Sequence, residues 1–333
     1  MEKTKIAIIG LGGIAQLVHI PNFAKISNAE ITDVAEIRKT RLNTIADKFN
    51  IKNRYSNYNE LLEKTEADAV IISTPTGTHK DVAAACIKSN KDILIEKPFA
   101  RTYDEGKSIV DAAKKSKTKI MVGMNLRFRP DAMILKSLLN AGEIGSPFYI
   151  KCGWIRRPSS NEKWFTVKEE SGGGVIIDLG ILLLDLSLWL LDYPPVLSVS
   201  TQCYSHNTKN VEDTAISFLK CKNESLILLE TSWSLLVEKD YFFVNVYGKG
   251  GTASLNPLKV YKKIGDQIMD LSPSQKDSAL TLFKKSYLNE LKSFIGAVKG
   301  LNPVFSSGDE ALSRLKVMEA MYKSSSTHSE IKI

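Results

Sequence analysis

Residues 5–15 read KIAIIGLGGIA, a short apolar run rich in β-branched residues that leads directly into closely spaced glycines. The run predicts a buried strand, and the glycines match the G-x-G-x-x-G/A spacing of a strand-to-helix turn. Gly10 permits a tight turn, Gly12 lets the backbone approach a pyrophosphate, and Ala15 allows close packing of helix on strand. The stretch therefore predicts a dinucleotide-binding loop. Its residues are Gly10, Gly12, Gly13, Ile14 and Ala15.

A second strand-like segment, AEITDVAEI, brings Glu36 to a position about twenty residues beyond the glycine loop. A carboxylate at this position accepts hydrogen bonds from the adenosine ribose hydroxyls and repels a 2′-phosphate. The sequence therefore predicts NAD as the cofactor. Arg38 lies close by and would favour a 2′-phosphate, so NADP is not excluded.

Further apolar strands, each followed by a polar loop, continue the pattern with helical segments between them. They are ADAVIISTPTGTH, DILIEKPFA and KIMVGMNLRF. Alternation of this kind predicts an α/β fold with a doubly wound parallel sheet. The length of 333 residues predicts two domains, which we place at residues 1–123 and 124–333.

The second domain is rich in strand-like segments and contains no further dinucleotide loop. These segments are FYIKCGWIRR, VLSVSTQCYS, DTAISFLKC, SLILLETSW and YFFVNVYGKGGTASL. The polar tail KSSSTHSEIKI is the only piece of the chain with the composition of a disordered segment. An extended sheet with apolar residues on both faces needs to be covered, which predicts self-association.

Composition narrows the class of protein. The net charge is +8, but the lysines are scattered and no nucleic-acid motif accompanies them, so no nucleic-acid partner is expected. The four cysteines show neither close pairing nor metal-ligand spacing, and the start of the chain is not typical of a secretory signal. We therefore expect a cytoplasmic protein with reduced cysteines and without a bound metal.

Residues 171–191, SGGGVIIDLGILLLDLSLWLL, are almost wholly apolar except for two aspartates. Two charges in so short a run disfavour a membrane span, so a buried helix after a glycine turn is predicted. Asp178, Leu182 and Asp185 then share one face of the helix. The aspartates either hold neighbouring backbone groups or border a reactive pocket, and the residues alone leave both possibilities open.

Several of these stretches, in this order, resemble the glucose–fructose oxidoreductase / inositol dehydrogenase / MocA family. They are GLGGIA, STPTGTH, IEKP, MNLRFRP and SGGGVIIDLGILLLDLSLWL, and the closing helices resemble the family as well. The resemblance implies a Rossmann domain and a C-terminal α/β domain with a large, mostly antiparallel sheet. It further implies hydride transfer between a nicotinamide and a sugar or polyol carbon, in a homodimer or homotetramer. The last helices are expected to pack back on the Rossmann domain.

The resemblance also assigns site residues. Lys97 in EKP matches the family's active-site lysine, which would stabilise a developing alkoxide and exchange its proton. Glu96 would orient this lysine or the nicotinamide ribose. Thr74, Pro75 and His79 fall on the cofactor-lining loop, although His79 has the alternative role of capping the following helix.

The alignment departs from the family at one position. Asp178 stands where the family has an aspartate, but Leu182 occupies the place of the usual catalytic histidine, and leucine has no proton to exchange. Of the four histidines, His19 and His79 lie in the Rossmann motifs, and His206 and His328 lie far away in sequence. Three interpretations stay open: a dehydrogenase in which Lys97 acts with Asp178, a non-catalytic NAD- and sugar-binding regulator, or an enzyme whose bound NAD oxidises the substrate only transiently before elimination or hydrolysis.

Arginines and tryptophans near the predicted strand ends suggest an anionic sugar as substrate, clamped by arginine and stacked on tryptophan. Arg129, Arg157 and Trp154 belong to this set, and Arg156 with Arg157 has the alternative of forming a solvated edge. The candidate substrate-binding residues are Asn125, Arg127, Arg156, Trp164, Asp178 and Leu182.

Overall fold

The computed structural model describes residues 3–159, 162–274 and 276–333. These residues form two compact units. The first comprises the chain up to Met124 together with Tyr287–Ser313, and the second comprises Asn125–Ser286 and Arg314–Ile333.

The first unit is built on a six-stranded sheet in which every neighbouring pair is parallel. Its strands are Thr4–Ile9 (β1), Ala29–Ala35 (β2), Asn53–Tyr55 (β3), Ala69–Ile72 (β4), Asp92–Ile95 (β5) and Ile120–Val122 (β6). The strand order is β3-β2-β1-β4-β5-β6, with the order reversing between β1 and β4. Ligands of doubly wound sheets bind beyond the carboxyl ends of the strands at such a reversal. The predicted Rossmann fold is confirmed.

Helical segments connect these strands. They are Ala15–His19 (π-helical), Ile20–Phe23 (α1), Lys39–Lys48 (α2), Tyr58–Lys64 (α3), Thr76–Thr78 (3-10), His79–Lys88 (α4) and Tyr103–Ser116 (α5). The central strands β1, β4 and β5 are almost wholly buried, because helices cover both faces of a parallel sheet. Their apolar sequence runs reflect this two-sided burial.

The second unit contains a sheet of nine strands among the described residues, in the order β14-β13-β12-β11-β7-β10-β9-β8-β15. Its strands are Pro147–Ile155 (β7), Val196–Tyr204 (β8), Thr214–Cys221 (β9), Leu226–Ser232 (β10), Tyr241–Gly248 (β11), Gly251–Leu255 (β12), Lys259–Ile264 (β13), Gln267–Asp270 (β14) and Ile331–Lys332 (β15). Only the pair β7 and β10 is parallel within this described sheet. The predicted mostly antiparallel sheet is confirmed.

The remaining helical segments are Asn125–Phe128 (3-10), Pro130–Asn140 (α6), Lys163–Thr166 (3-10), Lys168–Ser171 (α7), Ile176–Gly180 (π-helical), Ile181–Leu190 (α8), Ala279–Val298 (α9) and Gly308–Thr327 (α10). Along the chain, α9 and α10 each pass from one unit into the other. The prediction of a disordered tail is wrong, because α10 extends to Thr327 and Ile331 then pairs with Val199 of β8. The tail is ordered because its backbone forms hydrogen bonds to the edge of the sheet, although its polar side chains would not form a hydrophobic core.

The apolar stretch 171–191 forms the buried helix that its sequence predicts. The segment Lys168–Leu190 is long and apolar enough to cross a membrane, yet 94% of its most apolar window is buried inside the protein. Helix α8 packs on the inner face of the nine-stranded sheet, where Ser187 Oγ lies 3.4 Å from Cys152 Sγ of β7. The helix is therefore apolar all round because protein surrounds it.

The opposite face of this sheet carries large apolar side chains that remain exposed. Burial alternates along β9 from Ala215 onwards, and its outward residues Ile216 and Phe218 are 44% and 43% exposed. On the same face, Phe218 pairs with Leu228, and Tyr149 stacks on Tyr247 with ring centroids 5.3 Å apart. An apolar face of this extent is typical of a protein–protein contact surface.

Candidate functional site

The glycine loop follows β1 and has the conformation that its sequence predicts. Gly10 has a φ of +93°, and a Cβ there would lie 2.7 Å from the carbonyl oxygen of Ser73, so only glycine fits. The hydroxyl of Ser73 donates to the Gly10 carbonyl oxygen at 2.8 Å, which joins the ends of β1 and β4. A Cβ on Gly13 would meet nothing within 4 Å, which leaves its backbone open to a ligand. These features fit a pyrophosphate at the following helical turn.

Glu36 follows the carboxyl end of β2 and is 8% exposed. Its carboxylate accepts hydrogen bonds from the backbone N–H groups of Leu11 at 3.0 Å and Arg38 at 3.1 Å. A carboxylate has about four acceptor positions, so these bonds leave room for ribose hydroxyls. Arg41 approaches the same carboxylate at 3.7 Å, whereas the side chain of Arg38 is exposed. The residues present therefore fit an adenosine ribose.

Lys97 lies in the loop after β5, half-buried, and Glu96 directly before it is buried. Glu96 Oε2 accepts from the Lys97 backbone N–H at 3.3 Å, and Glu96 Oε1 lies 2.8 Å from His19 Nε2. Burial by itself would raise the pKa of Glu96, but the hydrogen bond from His19 and the charges of His19 and Lys97 lower it below its ordinary value. A carboxylate is thus held ionised beside the lysine.

His79 lies at the start of α4, but its ring does not cap that helix. The ring is 1% exposed, with Nε2 2.9 Å from the Thr74 carbonyl oxygen and Nδ1 3.0 Å from the Pro98 carbonyl oxygen. Burial lowers the pKa of His79, although both carbonyls oppose the change. The prediction that His79 lines the cofactor is therefore corrected to a role behind the loop. Thr74 and Pro75 are not buried and lie at the surface of this loop.

Asp178 lies in the second unit, in the π-helical turn that precedes α8, and is 2% exposed. Its Oδ2 accepts hydrogen bonds from the indole N–H of Trp233 and from the backbone N–H of Ser159, both at 3.1 Å. Leu182, one helical turn later, is 5% exposed. Asp178 is thus fixed in one orientation by donors from two other segments of the unit.

Aromatic rings continue from Trp233 along this part of the second unit. Trp233 packs on Phe165 with ring centroids 5.7 Å apart, and Phe165 contacts Trp164 edge-on at 5.5 Å. Trp164 is half-buried, so part of its ring is exposed to solvent. Arg156 lies elsewhere, stacked on Trp154 at 5.5 Å and 3.6 Å from Asp240.

Asp185 forms the centre of a buried charge cluster in the second unit. Its carboxylate accepts from Arg127 Nε at 2.7 Å, from Arg314 Nη1 at 2.5 Å and from the Tyr193 hydroxyl at 2.8 Å. Burial opposes ionisation, but the charges of Arg127 and Arg314 lower the pKa of Asp185. Asp185 is therefore the structural member of the aspartate pair.

This cluster corrects the prediction that Arg127 clamps an anionic substrate. Its side chain is 3% exposed and forms an ion pair with Asp185, so the guanidinium stabilises the core of the second unit. Arg129 is likewise buried and bonded to Asp131 at 2.7 Å. Asn125 is buried and donates to the Ser286 hydroxyl at 2.9 Å. These side chains follow a strand end, as predicted, but they point into protein.

The glycines before Asp178 are required by close packing. A Cβ on Gly174 would lie 1.9 Å from the Glu212 carbonyl oxygen, and one on Gly173 would lie 2.0 Å from the Tyr322 hydroxyl. The Glu212 carboxylate accepts from Gly174 N and Ile176 N at 3.0 Å and from the Tyr322 hydroxyl at 2.8 Å. Burial raises the pKa of Glu212, against the effect of these donors. Glu212 thus anchors the turn that aims Asp178.

Comparison with known families matches residues 4–124 to the NAD-binding Rossmann fold of an oxidoreductase family, and residues 136–333 to its C-terminal alpha/beta domain. The chain belongs to the glucose–fructose oxidoreductase / inositol dehydrogenase / MocA family. D-glucoside 3-dehydrogenase of Escherichia coli is 24% identical to it, over 99% of this chain and 97% of the relative. Myo-inositol 2-dehydrogenase of Thermotoga maritima is 25% identical, over 99% and 98%.

Solved structures share the fold over the whole chain. Levoglucosan dehydrogenase in complex with NADH superposes with a TM-score of 0.90 at 18% identity, covering 100% of this chain and 99% of that one. An oxidoreductase from Agrobacterium radiobacter in complex with NAD+, L-tartaric acid and magnesium gives 0.87 at 20% identity, covering 99% and 98%. Among the described residues of the present chain, no group of His, Cys, Asp and Glu is arranged to hold a metal.

Several residues of the site were not assigned a role from the sequence. Ser73 begins the STPTGTH motif, whereas His19 and Trp233 lie outside the stretches that carry the family resemblance, and each of the three contacts a predicted site residue. The one available clue in the sequence was His19 itself, a polar residue in the apolar segment that follows the glycine loop. His206 is exposed and stacks on Tyr204.

Proposed function

We propose that this protein is an NAD-dependent dehydrogenase that oxidises a secondary hydroxyl of a sugar or polyol, with Lys97 as acid/base and Asp178 as its partner. The observation that carries the proposal lies within the first unit. The glycine loop, Thr74 and Lys97 follow the carboxyl ends of β1, β4 and β5, which are neighbours in the sheet. A lysine therefore lies at the edge of the sheet at which the family's cofactor binds.

When bound, NAD⁺ supplies an acceptor for the hydride of the carbinol carbon. Lys97 in its amine form takes the hydroxyl proton as the carbonyl forms, and its ammonium returns that proton in the reverse direction. Glu96 keeps a negative charge beside this lysine. Asp178, held by Trp233 and Ser159, receives or relays the proton, and Trp164 stacks on the sugar ring. Leu182 contributes to the shape of the proposed pocket but exchanges no proton.

We propose a neutral sugar or polyol as the substrate class. Arg127 and Arg129 are each engaged by a buried aspartate, so neither supports recognition of an acid group. The similar D-glucoside 3-dehydrogenase and myo-inositol 2-dehydrogenase are named for neutral substrates. We place the reaction in the cytoplasm, in keeping with the four free cysteines.

An NAD⁺-linked screen tests the proposal. Neutral sugars, polyols and their acid counterparts are offered to the wild-type protein, and NADH formation is followed by absorbance. We expect turnover with at least one neutral compound and slower turnover of its acid counterpart. Binding of NADH without turnover across the panel would favour a regulatory protein instead. Product without net NADH would indicate transient oxidation.

Glu36 is expected to determine cofactor choice. Glu36→Gln keeps an acceptor for the Leu11 N–H but removes the charge that repels a 2′-phosphate. Loss of charge-assisted bonds worth about 1.5–3 kcal/mol lowers the preference for NAD⁺ over NADP⁺ roughly 10- to 100-fold. Calorimetric titration of both cofactors measures this change, with Glu60→Gln on α3 as the control. A wild-type protein that prefers NADP⁺ contradicts the assignment.

We propose that the exposed face of the nine-stranded sheet pairs with a second copy of the chain, giving a homodimer or homotetramer. Outward residues of β7 and β10 include both a cation and an anion, Lys151 and Glu230, so the face is able to complement itself across a two-fold axis. Phe218→Glu is expected to shift the mass measured by light scattering towards the monomer. Leu301→Glu, at an exposed apolar residue of the first unit, is the control. A monomeric wild type refutes the proposal.

A further inference from the structure

We propose that His19 and His79 are positioning residues for Lys97: two buried imidazoles hold the segment Glu96–Pro98 on either side of the lysine. The inference rests on the proposed function of Lys97. It places these two imidazoles behind the lysine, within the first unit, where neither exchanges a proton with substrate.

His19 holds the side chain of Glu96. The ring is 0% exposed, its Nε2 lies 2.8 Å from Glu96 Oε1, and its Nδ1 has no hydrogen-bond partner among the described residues. An ionised carboxylate only accepts hydrogen bonds, so Nε2 carries the proton of this bond. His19 therefore acts as a fixed donor to Glu96.

Glu96 links His19 to the backbone of Lys97. Its second oxygen accepts from the Lys97 backbone N–H at 3.3 Å, so one carboxylate is bonded to the helix of the glycine loop and to the lysine segment. The titratable groups that face Glu96 are His19, Lys97 and, behind the loop, His79. Without the His19 donor, the Glu96 side chain is able to turn away from the lysine segment, and the lysine loses a negative charge held at a fixed place beside it.

His79 holds the other side of the segment. Its ring bridges the carbonyl oxygens of Pro98 and Thr74, with 1% of the residue exposed. A neutral imidazole donates only one hydrogen bond, so the ring bonds to one carbonyl at a time while packing between both. The charged group that acts on it is Glu96. His79 thus joins the lysine segment to the cofactor loop.

Competitive labelling of amines tests the inference without requiring turnover. The full-length protein is treated with acetic anhydride over a range of pH, and peptide mass spectrometry gives the extent of modification at Lys97. In His19→Leu we expect the midpoint of Lys97 labelling to move to lower pH, because the Glu96 carboxylate is no longer held beside the lysine segment. The exposed Lys209 should label alike in all variants.

The conservative variant separates positioning from packing. In His19→Gln the side-chain amide donates from nearly the position of Nε2, so we expect a labelling midpoint close to that of wild type. If His19→Leu does not fold, His19→Asn, whose amide falls short of Glu96, replaces it. With a substrate in hand, His19→Leu and His79→Leu should lower kcat roughly 10- to 100-fold, as small misplacements of catalytic groups do.

An unchanged Lys97 midpoint in a folded His19→Leu protein overturns the inference, even if Lys97 proves essential for turnover. A shifted midpoint in a protein that turns over no substrate supports the clamp while refuting the dehydrogenase. The two claims therefore fail separately.

Discussion

Replacing Lys97 with alanine is expected to lower kcat by ~10²- to 10⁴-fold, the range for the loss of one general acid/base. The affinity for NADH should stay close to wild type, since the glycine loop and Glu36 hold the cofactor at other strands of the sheet. Steady-state NADH formation gives kcat, and fluorescence titration gives the NADH affinity. With Leu182 in the histidine position, no imidazole is expected to compensate.

Two variants control this experiment. Lys97→Arg keeps a cation but releases its proton only at very high pH, so it should be nearly as slow as the alanine variant. Lys80→Ala removes an exposed lysine from α4 and should leave kcat unchanged. A Lys97→Ala protein that turns over at the wild-type rate would show that another group manages the proton.

Asp185→Asn is expected to cause the largest loss of stability, about 3–5 kcal/mol, because it leaves two buried guanidinium groups without their counter-charge. Arg127 and Arg314 are 3% and 1% exposed in their pairs with Asp185. All four tryptophans (Trp154, Trp164, Trp189 and Trp233) lie in the second unit, so their fluorescence during urea unfolding reports on this unit.

The control for this variant lies just beyond the same helix. Asp192 pairs with Lys136 at 2.6 Å but is 81% exposed, so Asp192→Asn should cost less than about 1 kcal/mol. Equal effects of the two substitutions would contradict the structural role of Asp185.

The same cluster predicts an acid dependence of stability. The pKa of Asp185 is lowered in the folded protein, so its contribution is fully present above the ordinary aspartate pKa of about 4 and is lost as the pH falls through the folded value. Urea midpoints of wild type should therefore fall with pH below about 4 more steeply than those of Asp185→Asn.

Local patterns were sufficient to predict the elements that surround the proposed cofactor site. Gly10 requires a positive φ, and a strand, a glycine loop and an acidic strand end lie within one short βαβ unit, so spacing along the chain determines their place in space. Lys97 was assigned from the resemblance of its EKP motif to the family, and its role stays a prediction. The alternation in DTAISFLKC likewise predicted the strand β9.

Side-chain partners distant in sequence were not predictable. Asp185 bonds to Arg127, 58 residues away, and to Arg314, 129 residues away, and no local pattern distinguishes a buried arginine from one that faces a substrate. The bond from Trp233 to Asp178 spans 55 residues. The ordered tail was missed because its order comes from pairing with β8 and not from its own composition.

The central claim, net hydride transfer from a sugar carbon to NAD⁺, is tested most directly with a substrate deuterated at the reacting carbon. Mass spectrometry of the cofactor and the sugar product gives the stoichiometry of a single reaction. The account predicts one deuterated NADH for each molecule of oxidised sugar released. Sugar product that retains its oxidation state, with deuterium returned to it and no reduced cofactor accumulating, would contradict the account.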